Sequence, residues 1–463
     1  MVSCGAIRAP IKRTVRRRAT RVLPADRRVP LSKIIEPLRG VHDVLPAQIA
    51  AWQHLERITR QVFAGYGYEE FRVPVIEQTQ LFKRSIGDFT DIVEKEMFSF
   101  VDQGEDHITL RPEATAGIVR AVISNGLLRE GRLRVWCMGP MFRRERPQAG
   151  RFRQFHQIDA EAFGFEGPDV DAELILLSAR LLRLLGLRDV KLLVNSLGTP
   201  ASRAAYRDKL TAYFSGHAAS LDEDSKRRLA GNPLRILDSK NPQMQRIIAG
   251  APLLLESLDA ESRQHFESLC AQLQSAGIEY HVEPHLVRGL DYYTRTVFEW
   301  TTEALGSQST VCAGGRYDGL VAQLGGADTP GVGWAMGQER IVMLLQKQNL
   351  ALPKDRPQIY LVLAGEQAEI PGFKLAERLR DAWPDLAVQI NLGGGSFKTQ
   401  FKRADKSGAE FALVLGDDEV ARGVVAVKAL RRDLPQEETP LERISERIGM
   451  LLGLTGGSGS SHG

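Results

Sequence analysis

The stretch from Met141 to Glu161 is dense in groups that could grip a charged ligand. Strand side chains two residues apart fall on one face. Arg143 and Glu145 would therefore share a face entering the segment, and Gln157, Asp159 and Glu161 would share one leaving it. Arginine stays charged and forks onto carboxylate or phosphate oxygens, and a carboxylate is the natural partner of an ammonium group. Other stretches offer similar chemistry: Glu113 and Thr115 within Thr109–Gly117, Arg288 with Tyr292 and Tyr293, Gly314-Gly-Arg-Tyr-Asp318, and Arg340 at the end of Gly331–Arg340. Each also has an ordinary explanation. Polar alternation by itself fits a solvated outer sheet face better than a pocket, a Glu at a helix start is capping chemistry, and Gly-Gly-Arg-Tyr by itself is a turn.

The elements around these residues can be read from periodicity. Leu133, Val135 and Cys137 alternate with Arg134 and Trp136, and the apolar residues after Gln154 suggest a second strand. Pro147-Gln-Ala-Gly150 is a turn signal between them, so the segment reads as an antiparallel hairpin with a long basic loop. Pro46 opens a helix carrying Ile49, Trp52, Leu55 and Ile58, stopped by Gly65 and Gly67. Phe71, Val73 and Val75 alternate as a strand in which Pro74 requires an edge or a bulge. Residues from about 195 to about 277 are helical, with spans Ala201–Phe214, Asp222–Leu229, Gln243–Ile248 and Ala260–Leu273. Glu279 to Trp300 returns to strand. After the linker signal Pro353–Pro357 the pattern becomes α/β, with strands at Ile359–Leu363, Val388–Ile390, Phe411–Leu415 and Val424–Val427. Lys398, Lys402 and Lys406 share one helix face there, which fits either solvent exposure or phosphate contact.

Taken together, the motifs form an ordered set. Phe142-Arg-Arg-Glu145 with its loop and polar strand resembles motif 2 of the class II aminoacyl-tRNA synthetases. Phe71-Arg-Val-Pro-Val-Ile-Glu-Gln resembles motif 1, and Gly331–Arg340 resembles motif 3. Arg288–Tyr293 and Ala313–Asp318 are similar to two signatures of the histidyl-tRNA synthetase family. The resemblance runs from about Leu38 to about Leu452. It implies an α+β class II core, an antiparallel sheet flanked by helices, over residues 34–352. A helical insertion would occupy about 195–277, and a C-terminal α/β anticodon-binding domain 357–454. Residues 1–33 would be a basic disordered extension and 455–463 a flexible tail.

The resemblance also assigns chemistry: L-histidine and ATP would give histidyl-adenylate, and histidine would pass to its tRNA. Arg143, Arg288 and Arg340 would be catalytic and would hold ATP together with Glu145. Glu113, Thr115 and Gln157 would hold the amino group, with Glu161, Tyr292 and Tyr293 around the imidazole. Arg146 and Gln148 would meet the tRNA acceptor end. Mg2+ would accompany ATP without dedicated protein ligands, and the protein would be a homodimer. The rival reading is the histidine-sensing regulatory subunit of ATP phosphoribosyltransferase, a non-catalytic paralogue. Such proteins typically lack the C-terminal domain and degrade the motifs, whereas Arg143, Arg288 and Arg340 are all present here.

Bulk properties agree with this reading. At roughly 150 residues per domain, 463 residues suggest two to four domains. No apolar run approaches the roughly 20 residues a membrane helix needs. Cys4, Cys137, Cys270 and Cys312 are far apart, so neither a zinc knuckle nor a disulfide framework is indicated, and a reducing cytoplasm fits. The net charge of +4 is uneven. Ten Lys and Arg against Asp26 give residues 1–33 a charge of +9, leaving −5 for the remainder. An Arg-rich, acid-poor start suits a transit peptide, an RNA-binding arm or an upstream extension without a role. We take it as the last, because the resemblance begins near Pro37.

Overall fold

The computed structural model describes residues 34–87, 90, 92–148, 150–239, 241–348 and 356–454. The expectations for residues 1–33 and 455–463, and most of the Pro353–Pro357 linker, lie outside the described residues. An eight-stranded sheet forms the larger part. Its spatial order is Glu69–Glu70, Leu133–Phe142, Gln154–Phe163, Gly331–Gly337, Thr310–Arg316, Thr294–Thr301, Lys191–Ser196 and His281–Val282. The outermost pairing at each edge is parallel and all the inner ones are antiparallel.

Strand alternation gives the two faces of this sheet different jobs. On one face Trp136, Ile158, Ala160, Trp334 and Trp300 are buried beneath helices Ile49–Gly65, Pro168–Leu184 and Ala260–Ser275. Phe63 stacks on Trp136 with ring centroids 4.7 Å apart. The indole N–H groups of Trp300 and Trp334 donate to Ser178 Oγ (2.8 Å) and to the Leu174 carbonyl (3.1 Å), so neither large ring leaves a buried donor unpaired. Pro168 at the first turn and the acidic Asp169 and Asp171 start helix Pro168–Leu184. On the other face lie helix Thr115–Ser124 and the helices Pro200–Gly216 and Pro242–Ala249, whose Tyr206, Leu210, Phe214 and Met244 share a core with Val135, Cys137 and Val297.

The expected helices between 195 and 277 are found at Pro200–Gly216, Glu223–Ala230, Pro242–Ala249 and Ala260–Ser275. The last packs against Pro168–Leu184 on the opposite face from the others, and Asn195 and Ser196 belong to a sheet strand. Three other readings need correction. The first helix begins at Ile49, with a turn at Pro46. Phe71–Val75 is not a strand: Glu69–Glu70 belongs to the large sheet and Ile76–Gln78 to a small three-stranded sheet. Pro74 lacks a ladder donor, and the carbonyls around it are used otherwise. Val73 O accepts from the Arg111 side chain (2.9 Å), and Val75 O accepts from the Arg111 amide (2.9 Å). Finally, Glu279–Trp300 is broken. Only His281–Val282 and Thr294–Thr301 are strand, and Arg288 sits in the loop between them.

The C-terminal part is a five-stranded sheet in the order Val388–Ile390, Ile359–Ala364, Phe411–Gly416, Val424–Ala429 and Glu437–Pro440. Its first three strands are parallel and the rest antiparallel. Lys398, Lys402 and Lys406 are all exposed on helix Phe397–Ser407. No described helix is long and apolar enough to cross a membrane.

Candidate active site

The hairpin strands Leu133–Phe142 and Gln154–Phe163 supply the floor of a cleft. Gln157, Asp159 and Glu161 do share a face, but it is not solvated: Asp159 and Glu161 are each 1% exposed. The neighbouring strand makes room for them. Gly337, Ala335 and Gly333 stand opposite Gln157, Asp159 and Glu161 in turn. At Gly333 even a Cβ would lie 1.7 Å from Glu161 Oε2 and 2.5 Å from the Ala160 carbonyl.

Glu161 is not itself among the residues that line the cleft; it is buried beneath Thr115 and Tyr317, which are. Its carboxylate accepts from Thr115 Oγ1 (2.6 Å) and from the Tyr317 hydroxyl. Burial holds its pKa well above the usual carboxylate range despite these two donors. Tyr292 and Tyr293 pack ring against ring beside it, with centroids 4.7 Å apart. Burial raises the pKa of both, that of Tyr293 to about 12. Glu113 accepts the Ala116 amide (2.9 Å) at the start of helix Thr115–Ser124, so it caps the helix and lines the cleft at once. Its pKa is also raised by burial, against the opposing pull of that amide and of Arg143.

Four guanidinium groups border the same cleft, those of Arg143, Arg151, Arg288 and Arg340. Arg143 and Glu145 lie beyond the end of the strand, so their expected shared face does not exist. Arg143 is fixed instead by Nε donating to the Pro112 carbonyl (2.8 Å) and by the Phe155 ring, 5.2 Å from its centre. Glu145 is ion-paired with Arg151. Arg340 donates through Nε to Gly150 O (3.1 Å) and through Nη1 to Thr310 O. Burial, and then Arg151, lower its pKa. Arg288 donates to Glu299, which also accepts from Thr310 Oγ1 (2.8 Å). Burial opposes the Arg288 charge, but Glu299 and the two tyrosines outweigh it and the pKa is raised.

The remaining candidates lie on the basic loop. Arg146 is exposed in a recess beside the cleft, with Arg39, Lys95, Arg144 and Arg153. Gln148 closes a turn with Arg151 through two backbone hydrogen bonds and its side chain is exposed.

Sequence reasoning gave no role to Tyr317, Glu299, Asp159 or Glu339. Tyr317 sat in a quoted motif, and Asp159 stood between two assigned residues at strand spacing. Glu339 accepts the His156 amide and meets its ring (2.9 Å each), tying the helix after Gly337 to the hairpin. Arg316 is a structural anchor. Fully buried, it pairs with Asp171 and donates to the carbonyls of Phe165 (2.8 Å) and Gly167 (2.7 Å). It thereby fixes the strand end that carries Tyr317. Among the described residues, no group of three or more His, Cys, Asp or Glu is placed to hold a metal ion.

The geometry can be set against known proteins. Residues 40–341 match the family model described as histidyl-tRNA synthetase, and residues 358–450 match one described as an anticodon binding domain. The chain is 55% identical over 425 residues to a histidine–tRNA ligase of Halorhodospira halophila, covering 92% of this chain and 99% of that one. A histidine–tRNA ligase of Hydrogenovibrio crunogenus is 54% identical over 414 residues, covering 89% and 97%. Among solved structures, apo histidyl-tRNA synthetase of S. aureus superposes with a TM-score of 0.76 at 33% identity, over 89% of this chain and 99% of that one.

Proposed function

The chain belongs to the histidyl-tRNA synthetase family, and we propose that it activates L-histidine with ATP to histidyl-adenylate and then transfers histidine to the 3′ end of its cognate tRNA. One observation carries the site assignment: a single cleft has buried carboxylates at its floor and four arginines along its border, of which Arg151 is paired with Glu145. The first suits a cationic amino group and an imidazole, the second a triphosphate.

In the first step the histidine carboxylate attacks the α-phosphate in line. Both partners are anions, so catalysis consists of neutralising and positioning charge. Arg143 and Arg288 hold the α-phosphate from two sides, Arg340 takes the γ-phosphate and Glu145 places the adenine. Mg2+ would accompany ATP and offset the charge of its phosphates, without dedicated protein ligands among the described residues. Glu113, Thr115 and Gln157 take the α-amino group, and Glu161, Tyr292 and Tyr293 surround the imidazole. A neutral imidazole offers one donor and one acceptor. A site built on such groups rejects isosteres that leave its own polar atoms unpaired. Arg146 and Gln148 meet the acceptor end, and the C-terminal domain reads the anticodon. The protein works in the cytoplasm as a homodimer. The regulatory-subunit reading is not favoured, since the curated relatives are ligases over nearly the whole chain.

Histidine-dependent exchange between ATP and pyrophosphate, followed by charging of histidine tRNA, tests the proposal. Exchange driven by another amino acid, or none with histidine, would overturn it.

A further inference from the structure

We propose that Asp159 is a further substrate-binding residue, whose carboxylate, with the side-chain oxygen of Gln157, receives the α-ammonium group of histidine. This rests on the histidine-activating function proposed above.

Two buried oxygen atoms facing the cleft have no hydrogen-bond partner. Asp159 is 1% exposed yet lines the cleft. Its Oδ2 meets only the Cys137 thiol, at 3.8 Å, and its Oδ1 has no hydrogen-bond partner. Two residues away on the same strand face, Gln157 Oε1 is also buried and without a partner. The cations nearby do not supply one. Arg111 turns its Nε and Nη1 to the carbonyls of Pro140 (2.8 Å) and Val73 (2.9 Å), and Arg143 turns its Nε to Pro112. A buried carboxylate left in this state is costly unless a partner arrives.

The missing partner must be cationic and must offer more than one N–H. An ammonium group has three donors and no acceptor, so it can satisfy both oxygens and Glu113 together. A carboxylate or phosphate would be repelled by the same wall. Position agrees as well. Asp159 lies between Glu161 at depth and Gln157 toward the arginines. An imidazole at Glu161 leaves the α-amino group at mid-strand and directs the carboxylate outward to Arg143 and Arg288.

Protonation follows from the surroundings. Facing Asp159 are Glu113, Glu161, Cys137, Arg111 and Arg143. Burial, and then Glu113, push its pKa up to about 8, so without substrate it is mostly protonated at neutral pH. An arriving ammonium favours the ionised form, and the carboxyl proton passes to solvent.

The test compares histidine with 3-(imidazol-4-yl)propionate, which lacks only the α-amino group. In Asp159→Asn, histidine should bind about 10- to 100-fold more weakly, whereas the analogue should change less than about threefold. The KM for histidine should rise with that for ATP unchanged. Equal losses for both ligands, or no loss for either, would overturn the proposal. Calorimetry on the unmodified protein needs no variant. At pH 7.5, histidine binding in two buffers of different ionisation enthalpy should release protons, and absence of release would overturn it too. Histidine-dependent exchange by the unmodified protein tests the underlying function separately, whatever the variant does.

Discussion

Replacing Arg288 by Ala should have two separable effects. The first is on the reaction. A preorganised donor aimed at charge that develops in the transition state is worth about 3–4 kcal/mol, a factor of about 10²–10³ in rate. That loss should fall on kcat for adenylate formation, with little change in the KM of ATP or histidine. The second effect is on stability. Arg288 is the ion-pair partner of Glu299, and the two side chains are only 21% and 15% exposed. Stranding a fully buried charge costs about 3–5 kcal/mol. Glu299 keeps some solvent and the Thr310 hydroxyl, so a loss of about 1–3 kcal/mol is expected here. The double variant Arg288→Ala/Glu299→Gln removes the stranded charge. It should recover most of the melting temperature and almost none of the adenylation rate. Arg288→Lys should do little better, because one ammonium does not reproduce a guanidinium fork. Single-turnover measurement of the two half-reactions, with thermal melts, separates these effects. Normal adenylation in Arg288→Ala, or a rate that returns with stability in the double variant, would refute the catalytic role.

Three further outcomes are expected. Gly333→Ala should lower stability by about 1–3 kcal/mol and raise the KM for histidine, because the new Cβ meets both the Glu161 carboxylate and the Ala160 carbonyl; an unchanged KM would show that Glu161 has no part in binding. The raised pKa of Asp159 means that the folded state binds its proton more tightly than the unfolded chain does. Its contribution to stability is therefore full below the unfolded value near 4 and is lost as pH rises toward about 8. Substrate-free Asp159→Asn should accordingly gain on the parent protein between pH 5 and pH 8 in melting experiments, and a gain that shrinks over that range would contradict the assignment. Truncation after Pro353 should spare adenylate formation and impair tRNA charging, and loss of exchange in a truncated protein that remains folded would show that the C-terminal domain supports the first step.

The sequence was most legible where period and chemistry coincide. The hairpin could be read from alternation, and the same alternation placed Gln157, Asp159 and Glu161 on one face. Whether that face was wet or buried depended on Gly333, Ala335 and Gly337, which come from a strand some 170 residues later, so alternation alone pointed the wrong way. Arg143 was assigned by motif, but its fixed position comes from the Pro112 carbonyl and the Phe155 ring, contacts that no local pattern encodes. Pro74 did give a warning, since a missing N–H disfavours a ladder, and the chain there is irregular rather than a bulged strand. Tyr317 and Glu299 were missed for a common reason. Each acts on a partner distant in sequence or across a loop, and neither a Tyr just past a strand end nor a Glu within a strand carries a local sign of that.

The pairing of Gln154–Phe163 with Gly331–Gly337 also constrains how the protein is made. A ribosome adding roughly 5–20 residues per second needs on the order of 10–30 s between finishing the first strand and finishing the second. Until then the hairpin has an open edge, and its acidic face lacks the glycine-bearing strand that encloses it. Arg316 and Tyr317 emerge only shortly before that strand. The nascent chain therefore carries an unpaired strand with poorly compensated carboxylates for more than a third of its synthesis, which discourages apolar edge-to-edge association. The polar groups proposed to receive the substrate in the finished enzyme would thus act first as gatekeepers on an unfinished one.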